Sequence, residues 1–326
     1  MAKPKVVVTR MTPGLEESPI WTECDVFAWK EDRAMPTDML MAQAAQADGL
    51  YTTGFDPVTP ELLSVTRQLK VVSNYGVGVD NINLAACTEK GVRVGNTPGV
   101  VTEATADLAF ALMLSLSRRI VECDNLVKAR QWKAWSPTLL IANDVFGKTL
   151  GIVGMGRIGQ AIAKRANGFS MNILYHTRTP KPDAEREYGV HYRSMDALLR
   201  ESDIVLLILP LTPETKNLIS TEALAKMKPT ALLINAARGP IVDPQALYEA
   251  LAAKRIAGAA LDVTVPEPIK TDDPLLTLDN ILISPHVGTS TWEARRLMTD
   301  MAVKNLIHGL KGQTMPSLVN PEVLKR

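Results

Sequence analysis

A glycine-rich turn in the middle of the chain constrains the fold more than any other feature. The apolar run Leu150–Val153 leads into a Gly-x-Gly-x-x-Gly pattern at residues 154–159, and a run of helix-forming residues follows. In such a unit the first glycine permits a tight turn, the second lets a pyrophosphate approach the backbone, and the third lets the helix pack on the strand. The context predicts a nucleotide site at a helix N-terminus, with a purely structural glycine turn as the alternative. Because the motif begins about 150 residues into the chain, a segment of domain size precedes it.

The length and composition indicate an ordinary globular protein of two domains. The 326 residues exceed the usual size of a single core, and 46% of them are hydrophobic and 22% charged. A net charge of +1 without a block of Lys or Arg gives no reason to expect a nucleic acid or a membrane as partner. The three cysteines are far apart, which favours free thiols in a reducing compartment over disulfides or a metal site. No apolar run approaches the length of a membrane span. We therefore expect a cytoplasmic protein, and the cysteine spacing gives no reason to expect a metal ion.

Short apolar runs alternate with helical stretches along almost the whole chain. This order predicts parallel strands joined by crossover helices, and therefore the α/β class. The break at Asn96–Gly99 predicts a crossing between domains, and the last helix, expected over Thr291–Lys311, is predicted to return to the first domain. The expected domains are residues 1–98 plus 290–326, and residues 99–289, which hold the glycine motif. One or two helices are expected over Thr102–Ala129, and strands at Lys5–Thr9, Val26–Trp29, Gly49–Thr52, Lys70–Ser73, Val92–Gly95, Leu150–Val153, Asn172–Tyr175, Ile204–Leu209, Ala231–Asn235, Gly258–Leu261 and Ile281–Ser284.

The end of the second strand of the glycine-motif domain indicates which dinucleotide binds. An acid at this point accepts hydrogen bonds from the ribose hydroxyls of NAD and repels a 2′-phosphate. The sequence has His176 here and no acid, followed by Thr177, Arg178 and Thr179. A guanidinium matches phosphate geometry in a two-point contact, so the segment predicts NADP(H) as the preferred cofactor, with NAD(H) as the other candidate. An exposed arginine without a ligand is the alternative.

Three later strands end in residues that suit the reduction of a carbonyl group beside a carboxylate. Arg238 follows the strand at 231–235, Asp262 and Glu267 follow the strand at 258–261, and His286 follows the strand at 281–284. Ligands of open α/β sheets bind outside the carboxyl ends of the strands, so these side chains are predicted to converge on the nicotinamide. Singly each has a plain alternative: a packed histidine, an arginine in a salt bridge, or a glutamate in an exposed loop.

Together these segments resemble the D-2-hydroxyacid dehydrogenase family. The likeness is carried by the glycine motif, by residues 234–243 in the form I-N-x-x-R-G-x-x-V-D, and by residues 261–268 and 285–290, and it covers nearly the whole chain. Within the family the chain is most similar to the glyoxylate/hydroxypyruvate reductases, because of residues 261–264, the Trp132-x-x-Trp135-x-Pro137 segment and the Arg178 loop. The resemblance implies a Rossmann-type doubly wound parallel sheet inserted into a second, flavodoxin-like α/β domain that binds the substrate.

The resemblance also implies roles for the matching residues. Arg238 would bind the carboxylate and carbonyl oxygen of a 2-oxoacid, His286 would donate the proton to the developing alkoxide, and Glu267 would keep His286 protonated. The residues expected to bind the substrate are Gly76, Val77 and Gly78, through backbone N–H groups, and Trp135, reaching across a homodimer. A plain glycine turn is the alternative for the loop, and ordinary interface packing is the alternative for Trp135. The residues expected to contact the cofactor are Thr102, Gly154, Gly156, Arg157, Ile158, Gly159, Thr177, Arg178, Thr179, Pro210, Thr215, Ala236, Asp262 and Gly288.

The activity expected from this resemblance is the NADPH-dependent reduction of a small 2-oxoacid, glyoxylate or hydroxypyruvate, to the 2-hydroxyacid. A larger 2-oxoacid such as 2-ketogluconate is the first alternative, because loops that the sequence does not place set the width of the pocket. A cofactor-sensing binding protein is a remote alternative, and the complete set of Arg238, Glu267 and His286 favours an enzyme over it. Gly76 stands where the family often has serine, so the detailed contacts to the substrate stay open.

Overall fold

The computed structural model describes residues 2–325 and divides the chain into two compact units. Unit 1 contains the residues up to Val101 and those from Thr289 onward, and unit 2 contains Thr102–Gly288. Each unit has one sheet, and every strand pair in both sheets is parallel. The predicted α/β class with parallel sheets is therefore confirmed.

Unit 1 has a sheet of five strands in the order β2-β1-β3-β4-β5, which is the flavodoxin-like order. β3 and β4 are buried along their whole length, as expected for central parallel strands covered on both faces. Thr59 caps α3 with its hydroxyl, which accepts a hydrogen bond from the N–H of Leu62, and Pro60 is the first helical residue. The elements are β1 Lys5–Val8, α1 Ile20–Glu23, β2 Asp25–Ala28, α2 Thr37–Ala44, β3 Gly49–Thr53, α3 Pro60–Val65, β4 Val71–Tyr75, α4 Leu84–Glu89, β5 Arg93–Gly95 and, after unit 2, α12 Trp292–Leu310.

Unit 2 has a sheet of seven strands in the order β12-β11-β10-β9-β6-β7-β8. Read from β8, this is the order of a Rossmann sheet with one further strand at the edge. The elements are α5 Thr102–Ser117, α6 Ile120–Lys128, β6 Thr149–Val153, α7 Arg157–Asn167, β7 Asn172–His176, α8 Pro182–Tyr188, β8 His191–Tyr192, α9 Met195–Glu201, β9 Ile204–Leu207, α10 Thr221–Lys226, β10 Leu232–Asn235, α11 Pro244–Ala252, β11 Gly258–Leu261 and β12 Ile281–Ile283.

The main departures from the predicted elements lie in unit 2. The sequence predicted six strands for this sheet and missed β8, because a strand of two residues carries no hydrophobic period. The stretch after Thr102, for which one or two helices were predicted, forms two, and they are separated at Arg119, whose φ of +52° lies in the left-handed region. Short 3-10 turns lie at Leu15–Glu17, Gly239–Ile241, Pro274–Thr277 and Pro321–Lys325.

Helices cover both faces of each sheet, so each unit has two apolar clusters, one on either side. None of the helices between residues 2 and 325 is long and apolar enough to span a bilayer.

Candidate active site

The glycine motif forms the predicted turn between β6 and α7. Gly154 has a φ of +107°, and a Cβ atom there would overlap the carbonyl oxygen of Ile208. A Cβ atom on Gly159 would overlap the carbonyl oxygen of Gly154, so the helix packs tightly on the turn. A Cβ atom on Gly156, by contrast, would meet nothing within 4 Å among the described residues. Two glycines are therefore required by packing, whereas Gly156 borders open space.

The space beside Gly156 is where the sequence predicts the pyrophosphate of a dinucleotide. Gly156 is the N-cap of α7, no side chain caps this helix end, and its first turn contains no acid. The N–H groups of the first turn and the positive end of the helix dipole therefore face the space beside Gly156. Arg157, which is exposed, and Ile158, which is half-buried, lie in the same turn.

The segment after β7 places several of the predicted cofactor residues together. The Thr177 hydroxyl donates a hydrogen bond to the carbonyl oxygen of Thr179 (2.8 Å), which closes the turn and leaves Arg178 exposed at its tip. The pKa of Glu214 lies below its ordinary value because the Thr212 hydroxyl and its own backbone N–H bind it, with a smaller contribution from Arg178. In the loop after β9, the Thr215 hydroxyl donates to the carbonyl oxygen of Pro210 (2.8 Å).

The turn after β10 presents Arg238. The buried Asn235 side chain donates to the carbonyl oxygen of Arg238 (3.0 Å) and accepts from the N–H of Ala237 (3.1 Å), which holds the turn in shape. A Cβ atom on Gly239 would overlap the backbone oxygen of Thr264, so this turn packs directly on the segment that follows β11. Ala236, another predicted cofactor residue, is buried at the start of the turn.

Glu267 and His286 form the predicted pair. His286 Nδ1 lies 2.9 Å from Glu267 Oε2, and Glu267 Oε1 accepts a hydrogen bond from the backbone N–H of Thr264 (2.9 Å). Both side chains are partly buried, at 35% and 22% exposure, so water screens the pair only in part. β10, β11 and β12 are neighbours in the sheet, with Asn235 opposite Leu261 and Leu261 opposite Ile283. Arg238, Glu267 and His286 therefore all follow strands at the same edge of the sheet.

Asp262 fixes the backbone around His286. Its buried carboxylate accepts three hydrogen bonds, from the Ser284 hydroxyl (2.6 Å) and from the N–H groups of Val287 (2.8 Å) and Gly288 (2.8 Å). Its carbonyl oxygen accepts a fourth, from the N–H of His286 (2.9 Å). His286 has a φ of +53°, a conformation that costs energy in a residue other than glycine, and this set of bonds stabilises it. The position of the imidazole thus depends on Asp262.

The loop predicted to bind a carboxylate follows β4 in unit 1. The carbonyl oxygens of Gly76, Val77 and Gly78 accept hydrogen bonds from the N–H of Thr97 (2.9 Å), from Asn96 Nδ2 (2.8 Å) and from Asn74 Nδ2 (2.8 Å). Within residues 2–325, the N–H groups of Val77 and Gly78 make no hydrogen bond. The loop is thus held through its carbonyl groups, and two donors are left for a ligand.

Other predicted residues take separate places. Thr102 is the first residue of α5 in unit 2. Trp135 is 80% exposed in the irregular segment between α6 and β6. In residues 2–325 no group of three or more His, Cys, Asp or Glu side chains could hold a metal ion.

Three positioning residues were missed at the sequence level. Asn235 lies inside a motif that the sequence singled out, so its buried side chain could have been suspected. Asn96 had been interpreted only as part of a break between domains, and Ser284 carried no signal. Their partners are set by the tertiary structure.

The chain is similar to known proteins in both sequence and structure. Residues 110–288 match the family described as D-isomer specific 2-hydroxyacid dehydrogenase, NAD binding domain. A glyoxylate reductase of Pyrococcus furiosus is 45% identical over 327 residues, which cover 99% of this chain and 97% of that protein. The crystal structure of the TT0316 protein from Thermus thermophilus has a TM-score of 0.91 at 44% identity, covering 97% of this chain and 99% of that one.

A more distant structure contains a cofactor. The NADPH-dependent glyoxylate/hydroxypyruvate reductase of Sinorhizobium meliloti, in complex with NADP and malonate, has a TM-score of 0.85 at 29% identity, covering 99% of this chain and 98% of that one. The family match spans more than half of this chain, and the identity to the curated relative extends over nearly all of it. This chain therefore belongs to the D-isomer specific 2-hydroxyacid dehydrogenase family of oxidoreductases, as its motifs predicted.

Proposed function

We propose that this protein reduces glyoxylate, or a similarly small 2-oxoacid such as hydroxypyruvate, to the 2-hydroxyacid. The observation that carries the proposal is the pair of His286 and Glu267, 2.9 Å apart, at the sheet edge where Arg238 also lies. A proton donor held by a carboxylate and a guanidinium beside it are the groups that reduction of a carbonyl beside a carboxylate needs. The names of the relatives in Pyrococcus furiosus and Sinorhizobium meliloti support a small substrate.

The residues divide the work as follows. Bound NADPH would supply the hydride. Arg238 would hold the substrate carboxylate and polarise the carbonyl oxygen, since its guanidinium stays charged and forms two-point contacts with oxygen anions. His286 would release a proton from Nε2, the ring nitrogen that does not face Glu267, to this oxygen as negative charge develops on it. Glu267 would stabilise the charged imidazolium and orient the ring.

The proposed preference for NADP(H) rests on Arg178. The side chain is exposed at the tip of the turn after β7, and no acid stands at the end of that strand. The family is described by an NAD-binding domain, and the Sinorhizobium meliloti relative was crystallised with NADP. The turn at Gly156 would accept the pyrophosphate of either cofactor.

The loop at Gly76–Gly78 is proposed to bind the substrate carboxylate. Its two unbonded N–H groups, on Val77 and Gly78, are donors of the kind that bind carboxylates through the backbone. Gly76 has no side chain that would compete for this space.

A homodimer is the proposed assembly. α6 has no buried residue, and eight of the sixteen large hydrophobic side chains that are exposed in the described chain lie within residues 120–146, Trp132 and Trp135 among them. An apolar surface of this density is typical of an interface between subunits. Light scattering coupled to size exclusion should give twice the mass of one chain, and a monomer at micromolar concentration would contradict the proposal.

Initial rates test the activity. The purified protein is assayed with NADPH and with NADH, each against glyoxylate, hydroxypyruvate, pyruvate and 2-ketogluconate. We expect the highest kcat/KM with NADPH and glyoxylate or hydroxypyruvate. Turnover of 2-ketogluconate alone would overturn the small-substrate proposal, and a preference for NADH would overturn the role of Arg178. No turnover of any 2-oxoacid with either cofactor would overturn the reaction itself.

A further inference from the structure

His176 is the last residue of β7, at the point where a dinucleotide-binding sheet contacts the adenosine ribose. It pairs with Val153, the residue before the first glycine of the motif, and its carbonyl oxygen accepts a hydrogen bond from the N–H of Gly154 (2.9 Å). In sheets of this order an acid at the corresponding position accepts hydrogen bonds from the ribose hydroxyls. The function proposed above assigns the phosphate to Arg178 and leaves His176 without a role.

The imidazole of His176 is held in one tautomer. Its Nδ1 lies 2.9 Å from the carbonyl oxygen of Arg193, and a carbonyl can only accept, so Nδ1 carries the hydrogen. The ring also packs against Tyr192 of the neighbouring β8, with centroids 5.9 Å apart and planes tilted by 30°. The guanidinium of Arg193 is paired with Glu201 (3.0 Å).

This arrangement determines what the other nitrogen can do. With the hydrogen on Nδ1, the Nε2 of a neutral ring is a hydrogen-bond acceptor, as a carboxylate oxygen would be. Nε2 makes no hydrogen bond to any residue between 2 and 325, and the side chain is only half-buried. An acceptor thus stands at the ribose position, although the acid is missing.

We propose that His176 reads the 2′-hydroxyl of the adenosine ribose in NAD(H), with Nε2 as the acceptor, while Arg178 reads the 2′-phosphate of NADP(H). The inference rests on the proposed function only in taking a nicotinamide dinucleotide as the cofactor. Two residues in the same turn would then recognise the two cofactors separately, and the protein would use NADH through His176 even though it prefers NADPH.

Two isosteric substitutions separate the ring nitrogens. His176→Asn keeps a donor close to the position of Nδ1, which can still bind the carbonyl oxygen of Arg193, but it has no atom at the position of Nε2. His176→Gln places an amide oxygen near the position of Nε2. The probes are ADP-ribose and 2′-phospho-ADP-ribose, which carry the ribose but no nicotinamide, and calorimetry on the full-length protein gives Kd without turnover.

We expect His176→Asn to raise the Kd of ADP-ribose about three- to tenfold, which corresponds to the loss of one neutral hydrogen bond. The Kd of 2′-phospho-ADP-ribose should change less than about twofold. His176→Gln should restore much of the affinity for ADP-ribose, and Arg178→Ala should weaken the phosphorylated probe selectively. The inference is overturned if His176→Asn binds ADP-ribose with unchanged affinity, or if its affinity for both probes falls equally. If both probes behave as expected but no 2-oxoacid is reduced, the activity proposal fails and the role of His176 stands.

Discussion

In unit 1 the strand order reverses between β1 and β3, and in unit 2 it reverses between β6 and β9. Ligands of open α/β sheets bind at such reversal points. In unit 1 the point is filled by the buried carboxylate of Asp56, whose Oδ2 accepts hydrogen bonds from the Thr9 hydroxyl (2.6 Å) and from the N–H (2.7 Å) and hydroxyl (2.8 Å) of Thr53. In unit 2 the point holds the turn of Gly154 and Gly156, with open space beside the second glycine.

The difference shows that topology offers a site and side chains decide whether it is used. At the reversal point of unit 1, Asp56 Oδ2 accepts three hydrogen bonds from Thr9 and Thr53, so these polar groups bind one another. At the reversal point of unit 2 the residues that could fill the space are glycines. The proposed acid–base pair of Glu267 and His286 also follows strands of unit 2, β11 and β12, whereas unit 1 has backbone donors after β4.

The largest effect is expected from His286→Ala, which tests whether the chemistry resides in unit 2. Loss of a general acid should lower kcat for 2-oxoacid reduction by about 10²- to 10⁴-fold. The Kd of NADPH, followed by its fluorescence, should stay unchanged, because the substitution leaves the glycine turn intact. His191→Ala, at an exposed histidine of β8, is the matched control. Turnover near the wild-type rate would remove His286 from the proton-donor role.

The two glycines at the reversal point of unit 2 should respond differently to alanine. Gly156 has a φ of −79° and open space around it, so Gly156→Ala should fold normally. Its methyl group would occupy the proposed space of the pyrophosphate and raise the Kd of NADPH roughly 10- to 100-fold, as the loss of charge-assisted hydrogen bonds does. Gly154→Ala, with its positive φ and its overlap with Ile208, should instead lower Tm markedly. Normal NADPH binding by a folded Gly156→Ala protein would contradict a nucleotide site here.

Most of the fold could be predicted from the sequence, because short apolar runs that alternate with helical stretches are typical of parallel strands joined by helices. β8 could not, since pairing with β7 rather than composition makes it a strand. The chemistry-bearing side chains followed from motifs at strand ends. The residues that hold these side chains in place could not be predicted in the same way. Asp262 had been predicted to face the nicotinamide, whereas in the structure its carboxylate accepts three hydrogen bonds from the segment around His286.

The features of the site that the sequence did not predict depend on contacts between residues that are distant in the chain. The Asn96 side chain binds Val77 and, through the Ser317 hydroxyl (2.6 Å), a segment 221 residues away. No local pattern around Asn96 encodes such a partner, and the same residue type is common in loops with no binding role.

Asp56→Asn tests whether the reversal point of unit 1 is only structural. The substitution removes the charge from a buried group with three donors and should lower the free energy of unfolding by about 1.5–3 kcal/mol. Urea denaturation measures this, with Asp25→Asn at an exposed position of β2 as the control. The Kd of NADPH and the KM of the 2-oxoacid should not change. A rise in either constant for a folded protein would show that a ligand does use this point.

A smaller effect should come from Asn96→Ala, which tests what unit 1 contributes through the loop after β4. The substitution removes the bond that holds the carbonyl oxygen of Val77, so the N–H groups of Val77 and Gly78 lose their fixed direction. The KM of the 2-oxoacid should rise about three- to tenfold, the value of one hydrogen bond, with kcat and the KM of NADPH unchanged.

Ser317→Ala should have the same effect to a smaller extent, because it removes only the bond to Asn96 Oδ1 (2.6 Å) and leaves the bond from Asn96 to Val77 in place. Its KM for the 2-oxoacid should lie between those of the wild type and Asn96→Ala. A fall in kcat, or equal rises in both KM values, would mean that Asn96 supports the folded state in general. If only the KM of the 2-oxoacid rises, unit 1 contributes to substrate binding. It would do so through the loops after β4 and β5, and not at the point where its own strand order reverses.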